Sequence, residues 1–172
     1  MDKKEVNIIK DWVLPIGIAV VVAFLIRQFI IYKVYIPSGS MIPTIEVHDQ
    51  LLVTKVYNKD KLKRGDIIVF KSREFNDTFI KRLIGLPGDE IKISNGEVFV
   101  NGEKVEEDYV KNNDFDYKKS FKVPEGKYFF LGDNRSNSND ARYWKNPYIS
   151  GDDIEGKAQL RVYPFSRFGF IE

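Results

Sequence analysis

Cysteine is absent from this 172-residue chain, and histidine occurs once, at His48. The absence of cysteine removes thiol nucleophiles, Cys-ligated zinc, iron–sulfur clusters, disulfides and S-acylation. A single histidine excludes any site with two His ligands in one chain. It also leaves His48 as the one possible base for a Ser-His-Asp triad. His48 follows Ser40 by eight residues, inside the charged run Glu46-Val47-His48-Asp49, and reads as a solvated surface side chain. Glycine-rich phosphate loops are missing. Ser40 is not in a G-x-S-x-G elbow, because Ser38 takes the place of the first glycine. Asp133–Trp144 has the outline of a calcium loop, but Arg135 replaces a ligand, Ser138 replaces the turn glycine and Trp144 closes it. No metal and no cofactor are expected.

Three segments remain. The first is Ile36-Pro37-Ser38-Gly39-Ser40-Met41-Ile42-Pro43-Thr44. The second is Lys81-Arg82-Leu83-Ile84-Gly85-Leu86-Pro87-Gly88-Asp89, preceded by Arg64-Gly65-Asp66-Ile67-Ile68-Val69-Phe70. The third is Gly132-Asp133-Asn134-Arg135-Ser136-Asn137-Ser138-Asn139-Asp140-Ala141-Arg142. Each is weak alone. In this order, after one N-terminal apolar segment, they resemble the bacterial type I signal peptidases, in the short single-span form of Gram-positive bacteria. These are Ser/Lys endoproteases that remove signal peptides from exported proteins. The resemblance runs from Leu25-Ile26-Arg27 to Ile154-Glu155-Gly156-Lys157-Ala158.

The resemblance implies roles residue by residue. Ser40, in the Ser-Met-x-Pro-Thr signature, is the expected nucleophile, and Lys81 the expected general base. Ser38 is expected to lend its hydroxyl to the oxyanion hole beside the Ser40 backbone N–H. Ser138 matches the serine that orients the lysine. Asp140 and Arg142 match the pair that braces the site. Ala141 departs from the family's usual serine, which puts one supporting hydrogen bond in doubt. The substrate is expected to lie extended between the strand before Ser40 and the strand before Lys81, with small residues, commonly Ala-x-Ala, at the third and first positions before the cut. Walls of the first pocket map to Ile36, Pro37, Met41, Phe79 and Ile80, and those of the third to Val34, Ile36, Val69 and Ile80. The implied partners are signal-peptide-bearing preproteins and a lipid bilayer.

Elementary chemistry is consistent with these roles. Lacking a usable histidine, a serine needs another base, and a neutral lysine can serve. Free lysine is almost fully charged at pH 7, but apolar burial penalises the ammonium and lowers its pKa. Lys81 lies between Phe79-Ile80 and Leu83-Ile84, which can desolvate it.

The elements that must position these groups follow from apolar patterning. Trp12–Ile26 carries no charge, Arg27-Gln28 interrupts, and Phe29–Tyr32 resumes. Read as one helix, Trp12–Tyr32 is about 31 Å long, the thickness of a bilayer core. Arg27 can snorkel to the headgroups. A cleaved export signal and a buried core helix share part of this pattern; continuation past Arg27 favours an anchor. Lys3, Lys4 and Lys10 precede it, and Lys33 is the sole basic residue between it and Lys55. This predicts a cytoplasmic segment 1–11, a transmembrane anchor 12–32 and an extracytoplasmic domain 33–172.

Past the anchor the periodicity is that of strands. Leu51–Val53, Asp66–Phe70, Ile91–Ser94, Val98–Val100, Lys127–Leu131 and Gln159–Tyr163 are the strand candidates. Asn95-Gly96 and Asn101-Gly102 signal tight hairpins. The expected fold is mostly β, an antiparallel sheet or barrel-like domain, with loops over 106–120 and 132–153. Lys plus Arg total 27 against 25 acids, a net +2, which argues against a nucleic-acid partner. Two other functions fit parts of the pattern: a self-processing Ser/Lys protease and an anchored module that has lost activity. The absence of a helix-turn-helix region opposes the first, and an intact Ser40 and Lys81 oppose the second.

Overall fold

The computed structural model describes residues 9–171. A π-helical turn, Ile9–Val13, leads into helix α1, Leu14–Phe29, with Pro15 in its first turn, where a missing N–H costs little. None of its residues is buried, and Asp11–Phe29 has a mean hydropathy of 2.0. The helix stops earlier than the sequence suggests, because Ile31 and Tyr32 belong to strand β1, Ile31–Tyr35. Two causes combine. Ile31, Tyr32 and Val34 are good strand formers that pair with β2, Gln50–Lys55, in the register Ile31↔Thr54. The last helical carbonyls are also captured from outside. Lys55 Nζ donates to Gln28 O at 2.7 Å, the Tyr57 hydroxyl to Phe29 O at 2.5 Å, and the Lys55 N–H to Ile30 O at 2.8 Å. Residues 1–8, with Lys3 and Lys4, and the side chain of Lys10 lie outside the described residues.

The rest is built on two antiparallel sheets joined by loops and short 3-10 turns. Strands β3 (Ile67–Ser72), β4 (Asp77–Gly85), β9 (Lys127–Leu131), β10 (Tyr148–Ser150) and β11 (Ile154–Tyr163) join β1 and β2 in the order β1-β2-β11-β3-β4-β9-β10. A short β12, Gly169–Phe170, pairs with β11. A smaller sheet holds β5 (Glu90–Ser94), β6 (Glu97–Val100), β7 (Glu103–Lys104) and β8 (Lys119–Lys122), in the order β7-β6-β5-β8. Its hairpins turn at the two Asn-Gly pairs, where all four residues have positive φ, 54° and 76° at Asn95-Gly96 and 53° and 85° at Asn101-Gly102. That is the backbone a two-residue type I′ loop requires.

The expected loops are shorter than the sequence implied, since β8 takes Lys119 and Ser120 and β10 takes Tyr148–Ser150. Lys119-Ser120-Phe121-Lys122 buries only Phe121, too weak an alternation to show itself before pairing.

Two apolar cores result. The larger joins both sheets through Phe70, Leu83, Ile84, Ile91, Phe129 and Phe130. The smaller consists of Ile36, Met41, Ile45, Leu51, Val53, Ile67, Val69 and Ala158. Strand β4 runs between them. Its burial is continuous from Lys81 to Gly85 instead of alternating, because both of its faces are covered.

Candidate active site

Ser40 lies in the turn that follows β1. The turn is drawn onto the smaller core by Met41 and Ile45, both fully buried, each contributing roughly 2 kcal/mol through loss of apolar surface. Two backbone bonds close it, Ile42 N–H to Gly39 O at 3.2 Å and Ile45 N–H to Met41 O at 2.9 Å. Lys81 sits in β4 opposite Ile68 of β3. Its Nζ is 2.5 Å from Ser40 Oγ, and the two residues are 3% and 8% exposed. Burial lowers the Lys81 pKa from the usual 10.5 to about 8, and the carboxylates of Asp140 and Asp133 oppose that shift without cancelling it. Each of those carboxylates is held by an arginine. The serine hydroxyl therefore faces an amine that is a usable base near neutral pH.

The Gly132–Asn134 turn after β9 braces both partners. Asp133 takes a bidentate bond from Arg82, Nε to Oδ1 at 2.9 Å and Nη2 to Oδ2 at 2.7 Å, and accepts from Thr44 Oγ1 at 2.5 Å. The residue after the lysine and the end of the serine turn thus share one buried carboxylate. Asn134 donates its N–H to Ser40 O and its Nδ2 to Gly39 O, each at 3.0 Å. Asp140, fully buried, accepts from the Gly132 N–H at 3.0 Å and from Arg142 Nε and Nη2 at 2.9 and 3.0 Å. Arg142 also donates to Arg135 O at 2.6 Å, and Arg135 forks onto Glu107 with bonds of 2.9 and 2.5 Å. Such pairs are costly to desolvate, and removing one partner would strand the other. Their consequence here is fixed geometry.

Gly132 is a position where only hydrogen fits. A Cβ there would lie 2.2 Å from Ser138 Oγ and 2.5 Å from Ser40 O. Ser138 is buried beside this turn, but its hydroxyl has no hydrogen-bond partner among the described residues, so the bond to Lys81 that the resemblance implied is not formed. Ala141 is fully buried within the larger core, an apolar setting in which a serine hydroxyl would need a partner. Ser38 is exposed, two residues before Ser40. His48 is exposed with φ of 73°, paired with the Tyr35 hydroxyl and not with Ser40.

The residues expected to line the pockets fall into different settings. Ile36, Val69 and Met41 are core residues, and Met41 exposes no surface at all. Val34 and Ile80 are half-buried against the smaller core, Phe79 half-buried against the larger, and Pro37 is exposed. Sequence reasoning gave no role to Arg82, Asp133, Asn134, Gly132, Thr44 or Glu107. All but Glu107 lay inside the quoted segments, so the segments themselves were the signal. Glu107 had none.

Comparison with known proteins gives one consistent answer. Residues 9–163 match the family model described as signal peptidase, peptidase S26. The chain is 42% identical to a signal peptidase I of Leptolyngbya laminosa, over 90% of this chain and 79% of that protein. It is 40% identical to signal peptidase I P of Bacillus subtilis subsp. natto, over 96% of this chain and 94% of that one. A crystal structure of a signal peptidase I from Enterococcus faecalis V583 superposes with a TM-score of 0.50 at 34% identity, covering 56% of this chain and 96% of that one.

Proposed function

The chain belongs to the S26 signal peptidase family, and from that premise we propose that Ser40 and Lys81 are its catalytic dyad. The family's activity, removal of signal peptides by a serine endopeptidase, is the activity of this chain. The observation that carries the residue assignment is the 2.5 Å approach of a buried lysine amine to a buried serine hydroxyl.

The chemistry follows. Neutral Lys81 takes the Ser40 proton as Oγ bonds to the scissile carbonyl carbon. Negative charge develops on the carbonyl oxygen, where the Ser40 N–H and the Ser38 hydroxyl are the assigned donors, worth roughly 3 kcal/mol each. The Lys81 ammonium then protonates the departing amine as the C–N bond breaks. Water attacks the Ser40 ester, Lys81 takes its proton, and the ammonium returns a proton to Ser40 Oγ. Ser138, Asp140 and Arg142 hold this arrangement. Ser138 is assigned by its burial beside Gly132, where its unpartnered hydroxyl is free to meet the amine once substrate has entered.

The substrates are preproteins cut after small residues. Half-buried Val34, Phe79 and Ile80 and exposed Pro37 are the proposed walls, with Ile36, Met41 and Val69 packed behind them. The apolar, wholly unburied α1 suits a membrane anchor, as do the relatives. In the proposed orientation the N-terminus is cytoplasmic and residues 33–172 face outward, supported by the lysines before the helix.

Cleavage of a purified precursor in detergent micelles tests the assignment. Ser40→Ala and Lys81→Ala should each abolish it while leaving a folded protein. Full activity in either variant would remove that residue from the chemistry. Absence of cleavage by the parent chain itself would revive the anchored, inactive module.

A further inference from the structure

We propose that Asn134 is the positioning residue of the oxyanion-binding backbone. Its side-chain amide fixes the plane of the Gly39–Ser40 peptide and so aims the Ser40 N–H at the substrate. The inference rests on Ser40 being the nucleophile.

A trans peptide is planar, and its C=O and N–H point in opposite directions. Whatever holds Gly39 O therefore determines where the Ser40 N–H points. Asn134 Nδ2 holds that oxygen at 3.0 Å, and the Asn134 N–H holds the next carbonyl, Ser40 O, also at 3.0 Å. Two consecutive peptides are pinned by one residue. The Ser40 N–H itself bonds to no group among the described residues. It points away from Asn134, available to a developing oxyanion.

The pin is needed because residue 39 is glycine. Rotation about its ψ and the following φ flips the 39–40 peptide, and glycine opposes such rotation less than any other residue. Among the described residues one other donor reaches Gly39 O, the Ile42 N–H at 3.2 Å. That bond belongs to the same turn and would move with it. Asn134 is anchored from elsewhere. Asp140 holds the Gly132 N–H, and Arg82 of β4 holds Asp133. Asn134 is 5% exposed, and its Oδ1 has no partner among the described residues, so the contact with Gly39 O selects which way the amide faces. The turn that braces the Lys81 strand thus also sets the direction of the donor that receives the negative charge.

The test uses the full chain in detergent micelles, with Asn134→Ala, Asn134→Ser and Asn134→Asp. Each variant keeps the backbone bond to Ser40 O. Alanine and serine lose the long donor, and aspartate sets a carboxylate against the Gly39 carbonyl. The expected order of kcat is therefore Asn, then Ala and Ser, then Asp. The first step should cost about tenfold to a hundredfold, with KM changed by less than about twofold. Affinity for a peptide boronate ending in alanine, whose adduct places an oxygen in the hole, should fall in parallel with kcat. Affinity for an uncleavable substrate-like peptide should hold. A role in packing alone would lower thermal stability and leave the boronate-to-peptide affinity ratio unchanged, and that result overturns the proposal. So does aspartate matching or exceeding alanine, or parental kcat in all three variants. Ser40→Ala, run alongside, separates the two readings: cleavage by that variant defeats the nucleophile assignment, whereas its inactivity beside unaffected Asn134 variants defeats the positioning role alone.

Discussion

The pH dependence of cleavage is the sharpest consequence of where Lys81 lies. As the proposed base, Lys81 works only as the free amine. Burial sets its pKa at about 8 in place of 10.5. At pH 7 the neutral fraction is then about one in ten, against roughly three in ten thousand for an unperturbed lysine, a gain of about 300-fold in active enzyme. At low substrate, kcat/KM should rise about tenfold per pH unit below the midpoint, bend near pH 8 and level off above it.

The same displacement has a cost in stability. Between about 8 and 10.5 the unfolded chain binds a proton at Lys81 that the folded one does not, so stability rises with pH through that window. Below pH 8 the penalty is fully present, on the order of 3 kcal/mol from a shift of this size. Lys81→Met removes it. That variant should be inactive yet more stable than its parent at pH 7 by about 2–3 kcal/mol, and the difference should shrink as pH climbs toward 10.5. The assays are initial rates on a fluorogenic signal-site peptide from pH 6 to 10, and denaturant unfolding of both proteins over the same range. A rate that is flat between pH 6 and 9, a midpoint near that of free lysine, or a methionine variant no more stable than its parent would refute a base made by desolvation.

Lys81→Arg should be as inactive as Lys81→Ala, because guanidinium does not release its proton at usable pH; single-turnover cleavage checks it. Gly132→Ala drives a methyl into Ser138 Oγ at 2.2 Å and Ser40 O at 2.5 Å, so the turn must shift. Since misplacement of reacting groups by about 1 Å costs about a hundredfold, kcat should fall by that order, while unfolding shows a smaller loss of about 1–3 kcal/mol. Ser38→Ala should lower kcat by about a hundredfold with KM nearly unchanged, and Ser38→Thr should keep more activity than alanine. A fragment starting near Ile31, which keeps all of β1, should fold, since no residue of α1 is buried against the β domain, and should cut soluble peptides but process membrane-held precursors more slowly than the full chain. Equal rates on the membrane-held precursor would show that the anchor does not concentrate enzyme and substrate.

Features written in neighbouring residues could be read without coordinates. An apolar segment announces itself by length, an Asn-Gly pair by its tolerance of positive φ, and the strand candidates by alternation. Ser40 and Lys81, the proposed dyad, stood out for a different reason: each sits inside a segment that resembles one family's motifs. The sequence missed the end of α1, because Phe29–Tyr32 is apolar enough to continue a helix. Only pairing of Ile31–Tyr35 with β2 and capture of the last carbonyls by Lys55 and Tyr57 stop it. It also implied a bond from Ser138 to Lys81 that is not formed.

The sequence by itself determined which chemical groups exist, that no cysteine and one histidine leave few bases for a serine, and which short segments turn or extend. Tertiary structure decided that Ser40 and Lys81, 41 residues apart, meet at 2.5 Å. It decided that the lysine is buried and desolvated, and that one turn after β9 clamps both strand and serine. A pKa and a contact across that separation depend on what packs around a group from distant parts of the chain, and side-chain order along the sequence carries no record of that packing.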